Sequence, residues 1–167
     1  MNSHKLATDL VALLKAQNKR VATAESCTGG LLAGAITGVA GSSEVFDYGF
    51  VTYANAAKTA LVDVPEYLLD SHGAVSIEVA ASMAEGARKA SGATMALSTT
   101  GIAGPGGGSD EKPVGMVCFG LSFIDREGEP MTYAQVQKFG AIGRDQVRER
   151  SVEFALNWAI DTLKVSA

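Results

Sequence analysis

The run Ala-Thr-Met-Ala-Leu-Ser-Thr at residues 93–99 is short, built of apolar and small side chains, and followed at once by a glycine-rich stretch. Such a run reads as a central strand covered on both faces, the mark of a sheet between two helical layers. Before it, Ser76 with Glu78 opens an Ala-rich helix running to Ala90. After it, Val114–Ile124 and Met131–Phe139 read as two strands joined by Asp125–Pro130, an antiparallel hairpin. Working outward, Leu6, Leu10, Leu13 and Leu14 recur at helical spacing over residues 3–17, with Ser3 or Asn2 as cap. Arg20–Ala24 is a strand, and Thr28–Ala40 a helix whose small residues allow close approach to the sheet. Gly41-Ser42-Ser43 ends that helix, and Val45–Tyr53 is a further strand. Asn55 caps a short helix through Val62, Pro65 opens a brief turn, and a last helix runs from Gly143 or Asp145 to about Lys164. The order predicts a single domain over 1–167. Its fold class is α/β, a three-layer α/β/α sandwich with a mixed, mainly parallel sheet of about five strands and the hairpin at one edge.

Hydrophobic content of 47% with 19% charged residues is a globular composition, and the net charge of −4 argues against a nucleic-acid partner. Two cysteines, Cys27 and Cys118, and two histidines, His4 and His72, match neither a disulfide framework nor a zinc pattern, so no metal is expected. No run of ~18 apolar residues and no signal core is present, which predicts no membrane partner and a cytoplasmic protein.

Chemistry concentrates in three places. Ala-Thr-Ala-Glu-Ser-Cys-Thr-Gly-Gly (22–30) puts Ser26 at a strand-to-helix junction. There a hydroxyl projects from the sheet end, and a helix start supplies unpaired backbone N–H groups. Ser26 is then either a helix cap or a nucleophile; Ala24 and Thr28 exclude a Gly-x-Ser-x-Gly elbow. Lys58 is either a solvated helix lysine or, if it lies beside Ser26, a base of lowered pKa. The loop Thr99–Gly108 is either a flexible connector or an anion cradle, and it fits neither a Walker A nor a Gly-x-Gly-x-x-Gly register. Cys27 at a helix start is a buried small residue or a reactive thiol. Ser109-Asp110-Glu111-Lys112 matches Ser-x-x-Lys, but Pro113 and the preceding glycines exclude the helix that pattern needs.

Five motifs taken in order are more specific than any one. They are Ala-Glu-Ser-Cys-Thr-Gly-Gly (24–30), Gly-Phe-Val-Thr-Tyr-Ala-Asn-Ala-Ala-Lys (49–58), His-Gly-Ala-Val-Ser (72–76), Thr-Gly-Ile-Ala-Gly-Pro-Gly-Gly-Gly (100–108) and Lys-Pro-Val-Gly (112–115). Together they resemble the CinA C-terminal domain family, whose stand-alone members are nicotinamide-nucleotide amidases of the PncC type. The resemblance implies an anticodon-binding-like three-layer fold and hydrolysis of nicotinamide mononucleotide (NMN) to nicotinic acid mononucleotide and ammonia, in pyridine nucleotide salvage. It implies Ser26 as nucleophile and Lys58 as general base, with Tyr53 and Thr100 hydrogen-bonding around the pair. Thr100 stands where some members carry Ser. Cys27, Thr28, Gly29, Gly30, Gly101, Gly104, Gly106 and Arg144 are the implied substrate-binding positions. No cofactor, a homodimer, and no pyrophosphatase-like companion domain complete the expectation. The alternative is a non-catalytic nucleotide-binding module of the same fold.

Overall fold

A computed structural model describes residues 2–167. The elements are α1 (Ser3–Ala16), β1 (Val21–Glu25), α2 (Leu31–Thr37), β2 (Phe46–Val51), α3 (Asn55–Val62), α4 (Glu66–His72), α5 (Ile77–Ser91), β3 (Met95–Gly101), β4 (Met116–Ile124), β5 (Pro130–Lys138) and α6 (Arg144–Val165). A 3-10 turn, Ser42–Glu44, leads into β2. The five strands form one sheet in the order β2-β1-β3-β4-β5. β1 pairs in parallel with β2 and with β3, whereas β3–β4 and β4–β5 are antiparallel. Four strands therefore share a direction and β4 runs against them.

Strand alternation sends successive residues to opposite faces, and the two faces carry different cores. One face presents Val21, Met95, Leu97, Phe119 and Leu121 to α1, α2 and α6. The other presents Ala22, Ala24 and Ala96 to Val62 of α3 and to Val79, Met83 and Ala87 of α5. Each large aliphatic side chain so enclosed contributes about 1.5–3 kcal/mol relative to exposure. The second face is lined by small residues because α5 lies almost on the strands. A Cβ at Gly120 of β4 finds no room against the Ala80 carbonyl of α5. Close helix-on-sheet approach is made by α5 on this face and, on the other, by the small Ala33 of α2, which would stand 3.1 Å from a Cβ at Gly49 of β2; Gly34 of α2 faces open space.

The architecture follows the sequence reading, with local differences. Ser76 caps α5 by accepting from Val79 N at 3.2 Å. Asn55 does not cap α3; Ala54 holds the cap position without a side-chain bond. The expected turn after Pro65 is the helix α4, and β3 begins two residues later than predicted. The second helix starts at Leu31, not Thr28, because Gly29 (φ 55°) and Gly30 (φ 100°) hold a left-handed turn ahead of it. Among the described residues, no helix is long and apolar enough to cross a membrane.

Candidate active site

The parallel strands β1 and β3 end side by side at the centre of the sheet, and the chain leaves them towards opposite edges. A crevice forms at such a switch point. Ser26 follows β1 directly, its N–H bonded to the Thr99 carbonyl of β3 at 2.9 Å.

Glu25, the last residue of β1, is fully buried. Its carboxylate accepts from Thr28 Oγ1 at 2.6 Å, Leu32 N at 2.8 Å and Ala33 N at 3.0 Å. The first turn of α2 is therefore capped from behind by Glu25, and Ser26 is released from capping. The expectation that unpaired N–H groups at the helix start face whatever the Ser26 hydroxyl touches is corrected for Leu32 and Ala33, whose N–H groups Glu25 takes. Thr28 Oγ1 also contacts Thr99 Oγ1 at 2.7 Å, tying the turn to β3. Arg148 of α6 holds the same turn from the other side, donating to the Cys27 carbonyl at 3.1 Å and the Thr28 carbonyl at 3.3 Å. Gly29 N closes back on the Ser26 carbonyl at 3.1 Å. Among the described residues, the backbone N–H groups of Cys27 and Thr28 donate to no backbone carbonyl.

Lys58, on α3, is 1% exposed, and its ammonium end reaches Ser26. Its Nζ lies 3.0 Å from Ser26 Oγ, 2.8 Å from the Thr52 carbonyl and 3.3 Å from the Tyr53 carbonyl. Among the described residues it has no carboxylate partner. Burial lowers its pKa from the ordinary lysine value. The two carbonyls can only accept, so a neutral amine gives them its two N–H bonds and turns its lone pair to the Ser26 hydroxyl. The solvated-lysine reading is excluded by this enclosure.

Tyr53 and Thr100 do not take the places expected around this pair. The Tyr53 ring is exposed, and its hydroxyl accepts from Arg144 Nη2 at 3.1 Å; only its backbone carbonyl touches Lys58. Thr100 is buried and donates to the Ala74 carbonyl at 2.8 Å. Arg144, at the start of α6, also donates to the Gly104 carbonyl at 2.8 Å, bridging the glycine loop and Tyr53. These groups surround a cleft of about 280 Å³ lined by Ser26, Cys27, Tyr53, Arg144 and the loop from Gly101 to Gly107. Gly101, Gly104 and Gly106 are on its wall. Gly30 is not: it lines a separate cavity of about 490 Å³ behind the turn, with Arg148. Thr28 and Gly29 likewise belong to the support of the turn. Gly104 (φ 82°) has no room for a side chain against Val114, so the loop wall is closely packed.

Cys27 is buried, and burial pushes its thiol up to about 12, which keeps it protonated. Among the described residues, no cluster of His, Cys, Asp and Glu is arranged to hold a metal ion. The two residues that sequence reasoning missed are Glu25 and Arg148. A carboxylate at the end of an otherwise apolar strand, Val-Ala-Thr-Ala-Glu, was the available signal for the first; nothing local marks the second.

The model of the CinA C-terminal domain matches residues 3–163. The nicotinamide-nucleotide amidohydrolase PncC of Enterobacter agglomerans is 50% identical over 157 residues, covering 94% of this chain and 93% of that protein. A CinA-like protein of Citrifermentans bemidjiense is 50% identical over 150 residues, 89% of this chain but 34% of the relative. The chain thus spans about a third of the length of several curated relatives it matches. The crystal structure of the competence/damage inducible protein CihA from Agrobacterium tumefaciens superposes with a TM-score of 0.90 at 44% identity, over 98% of this chain and 96% of that one.

Proposed function

The chain belongs to the CinA C-terminal domain family, and from that premise we propose that it hydrolyses the carboxamide of NMN to nicotinic acid mononucleotide and ammonia. The observation that carries the reading is the buried Lys58 amine, 3.0 Å from Ser26 Oγ and without a carboxylate partner among the described residues. The Enterobacter agglomerans relative, a nicotinamide-nucleotide amidohydrolase, supplies the substrate class.

Neutral Lys58 takes the proton of Ser26 as Oγ attacks the carboxamide carbon. Negative charge develops on the carboxamide oxygen, and the N–H of Cys27, on the cleft wall beside Ser26, holds it. The protonated amine, still bonded to the Thr52 and Tyr53 carbonyls, then gives its proton to the departing ammonia. A water molecule deprotonated by Lys58 cleaves the acyl-enzyme and restores Ser26. No step in this sequence calls on a metal or cofactor. The glycine loop and Arg144 hold the nucleotide's phosphate and ribose, with Tyr53 on the cleft wall beside them and Thr100 buried behind it. The rest of the reading is a single amidase domain, a homodimer, a cytoplasmic place and a role in pyridine nucleotide salvage.

The deciding experiment is ammonia release from NMN by the purified protein, with nicotinamide and nicotinamide riboside as comparison substrates. Turnover of NMN abolished by Ser26→Ala supports the reading. Binding of NMN without ammonia release overturns it in favour of a regulatory nucleotide-binding module.

A further inference from the structure

We propose that the outer edge of β5 is the surface through which two copies of this chain pair, strand against strand; the inference rests on the homodimer of the reading above and is independent of its amide chemistry. The sheet has two free edges among the described residues, β2 and β5. β2 is blunted. Its ladder with β1 shifts register between Val21 and Thr23, and it carries Asp47, which accepts from Arg20 Nε at 2.7 Å. Bulges and charged side chains are the devices that keep an edge from pairing. β5 lacks both along its length. It pairs with β4 residue for residue from Pro130 to Lys138, and its one charged residue is Lys138, the last.

Asp125 N donates to the Glu129 carbonyl at 2.8 Å and Phe139 N to the Gly115 carbonyl at 2.9 Å. Bonding alternates along an antiparallel pair, so the odd-numbered residues of β5 turn their N–H and C=O to β4 and the even-numbered ones turn theirs outward. Thr132, Ala134, Val136 and Lys138 thus present a row of unpaired donors and acceptors. Pro130, which has no N–H, blunts the first position only. The occupant that fits this row is a second copy, antiparallel about a two-fold axis at Ala134. Ala134 then meets its counterpart, Thr132 meets Val136, and Lys138 stands opposite Pro130, one residue from Glu129. Lys138 and Glu129 have no ion pair within the chain among the described residues, and the two-fold axis brings these opposite charges together twice. On the other face of the strand, Tyr133 meets Gln135. Because α6 packs over β3 and β4, Tyr133 is left half exposed beside a groove of about 350 Å³ that it lines with Phe123 and Trp158. The pairing sets two such grooves side by side and covers both tyrosine rings.

The test is sedimentation of the purified protein over a concentration series, with hydrogen exchange read residue by residue. The expected result is a dimer whose Thr132, Ala134 and Val136 amides exchange slowly. Ala134→Pro removes an outward N–H and leaves the β4 ladder whole, so it is expected to be a folded monomer in which Thr132 and Val136 exchange fast. Lys138→Glu turns two attractive contacts into two repulsive ones and raises the dissociation constant about tenfold or more at low salt; adding Glu129→Lys brings it back within about threefold of wild type. A wild-type dimer with fast outward amides, or a folded Ala134→Pro that dimerises as wild type does, overturns the assignment. Should Ala134→Pro fail to fold, the charge swap decides: an unweakened Lys138→Glu, or no recovery in the swapped chain, overturns it. A protein monomeric at every concentration sinks the homodimer and this interface together, whatever its turnover of NMN. A dimer that leaves β5 unprotected sinks this interface alone.

Discussion

Replacing Lys58 separates its chemistry from its packing. Lys58→Met keeps an unbranched stem of similar length and removes the amine. The Thr52 and Tyr53 carbonyls then lose donors at 2.8 and 3.3 Å. An unpartnered buried group costs about 1–3 kcal/mol, but the amine's own desolvation disappears and an apolar thioether fills the same space. The net change is within about 2 kcal/mol, inside the roughly 5–15 kcal/mol that holds a domain of this size together. Turnover loses its general base, a fall of about 10²–10⁴-fold. At about 1.36 kcal/mol per decade, that corresponds to roughly 3–5.5 kcal/mol of transition-state stabilisation. Lys58→Arg behaves differently. Its guanidinium stays charged up to pH ~12, so it cannot act as base, and it enters a site with no carboxylate partner among the described residues. Burying that charge costs several kcal/mol. The expected pair of outcomes is an inactive, near-wild-type-stable Lys58→Met and an inactive, clearly destabilised Lys58→Arg. Ammonia release from NMN and urea midpoints measure both. Wild-type turnover in Lys58→Arg, or Lys58→Met within tenfold of wild type, refutes the general-base argument.

The pH dependence follows from the same burial. Lys58 is lowered from its ordinary value, so the neutral fraction rises with pH and log kcat/KM climbs with unit slope to that lowered pKa. In the unfolded chain the lysine stays protonated to higher pH, so stability rises with pH between the two values, and Lys58→Met loses this dependence. Ser26→Ala abolishes ammonia release with little change in unfolding midpoint, since Ser26 caps no helix; Cys27→Ala keeps turnover, its loss in a folded protein pointing instead to the thiol. Glu25→Gln places an amide N–H2 against one of the three donors its carboxylate now satisfies. Losing one charge-assisted bond costs about 1.5–3 kcal/mol, read as a lowered urea midpoint, and an unchanged midpoint contradicts the buried cap.

Element order was legible because it rests on local periodicity. The apolar run ending at Thr99, the Ser76 cap and the hairpin around Asp125–Pro130 each announce themselves within a few residues. What was not legible depends on reach. The start of α2 moved from Thr28 to Leu31 because a carboxylate on the preceding strand bonds N–H groups seven and eight residues ahead. No propensity of Thr28 or Gly29 encodes that. Lys58 lay open between solvent and site until the sheet order set β2 beside β1 and carried α3 over the end of β1. The family resemblance anticipated the Ser26–Lys58 pairing, but it placed the Tyr53 and Thr100 hydroxyls around it, where backbone carbonyls stand instead. Arg148 sits 120 residues from the turn it holds, one arginine among Arg144, Arg148 and Arg150, and only its contacts distinguish it.

The carbonyls that grip the Lys58 amine belong to Thr52 and Tyr53, just past the end of β2, and β2 is secured to the sheet by β1 alone. Edge strands open locally at lower cost than central ones. When this one frays, water reaches the amine, its proton returns, and the base is disarmed while the central strands stay paired. Heat should silence the chemistry before it melts the fold, with amide exchange along Phe46–Val51 rising in step with the lost activity.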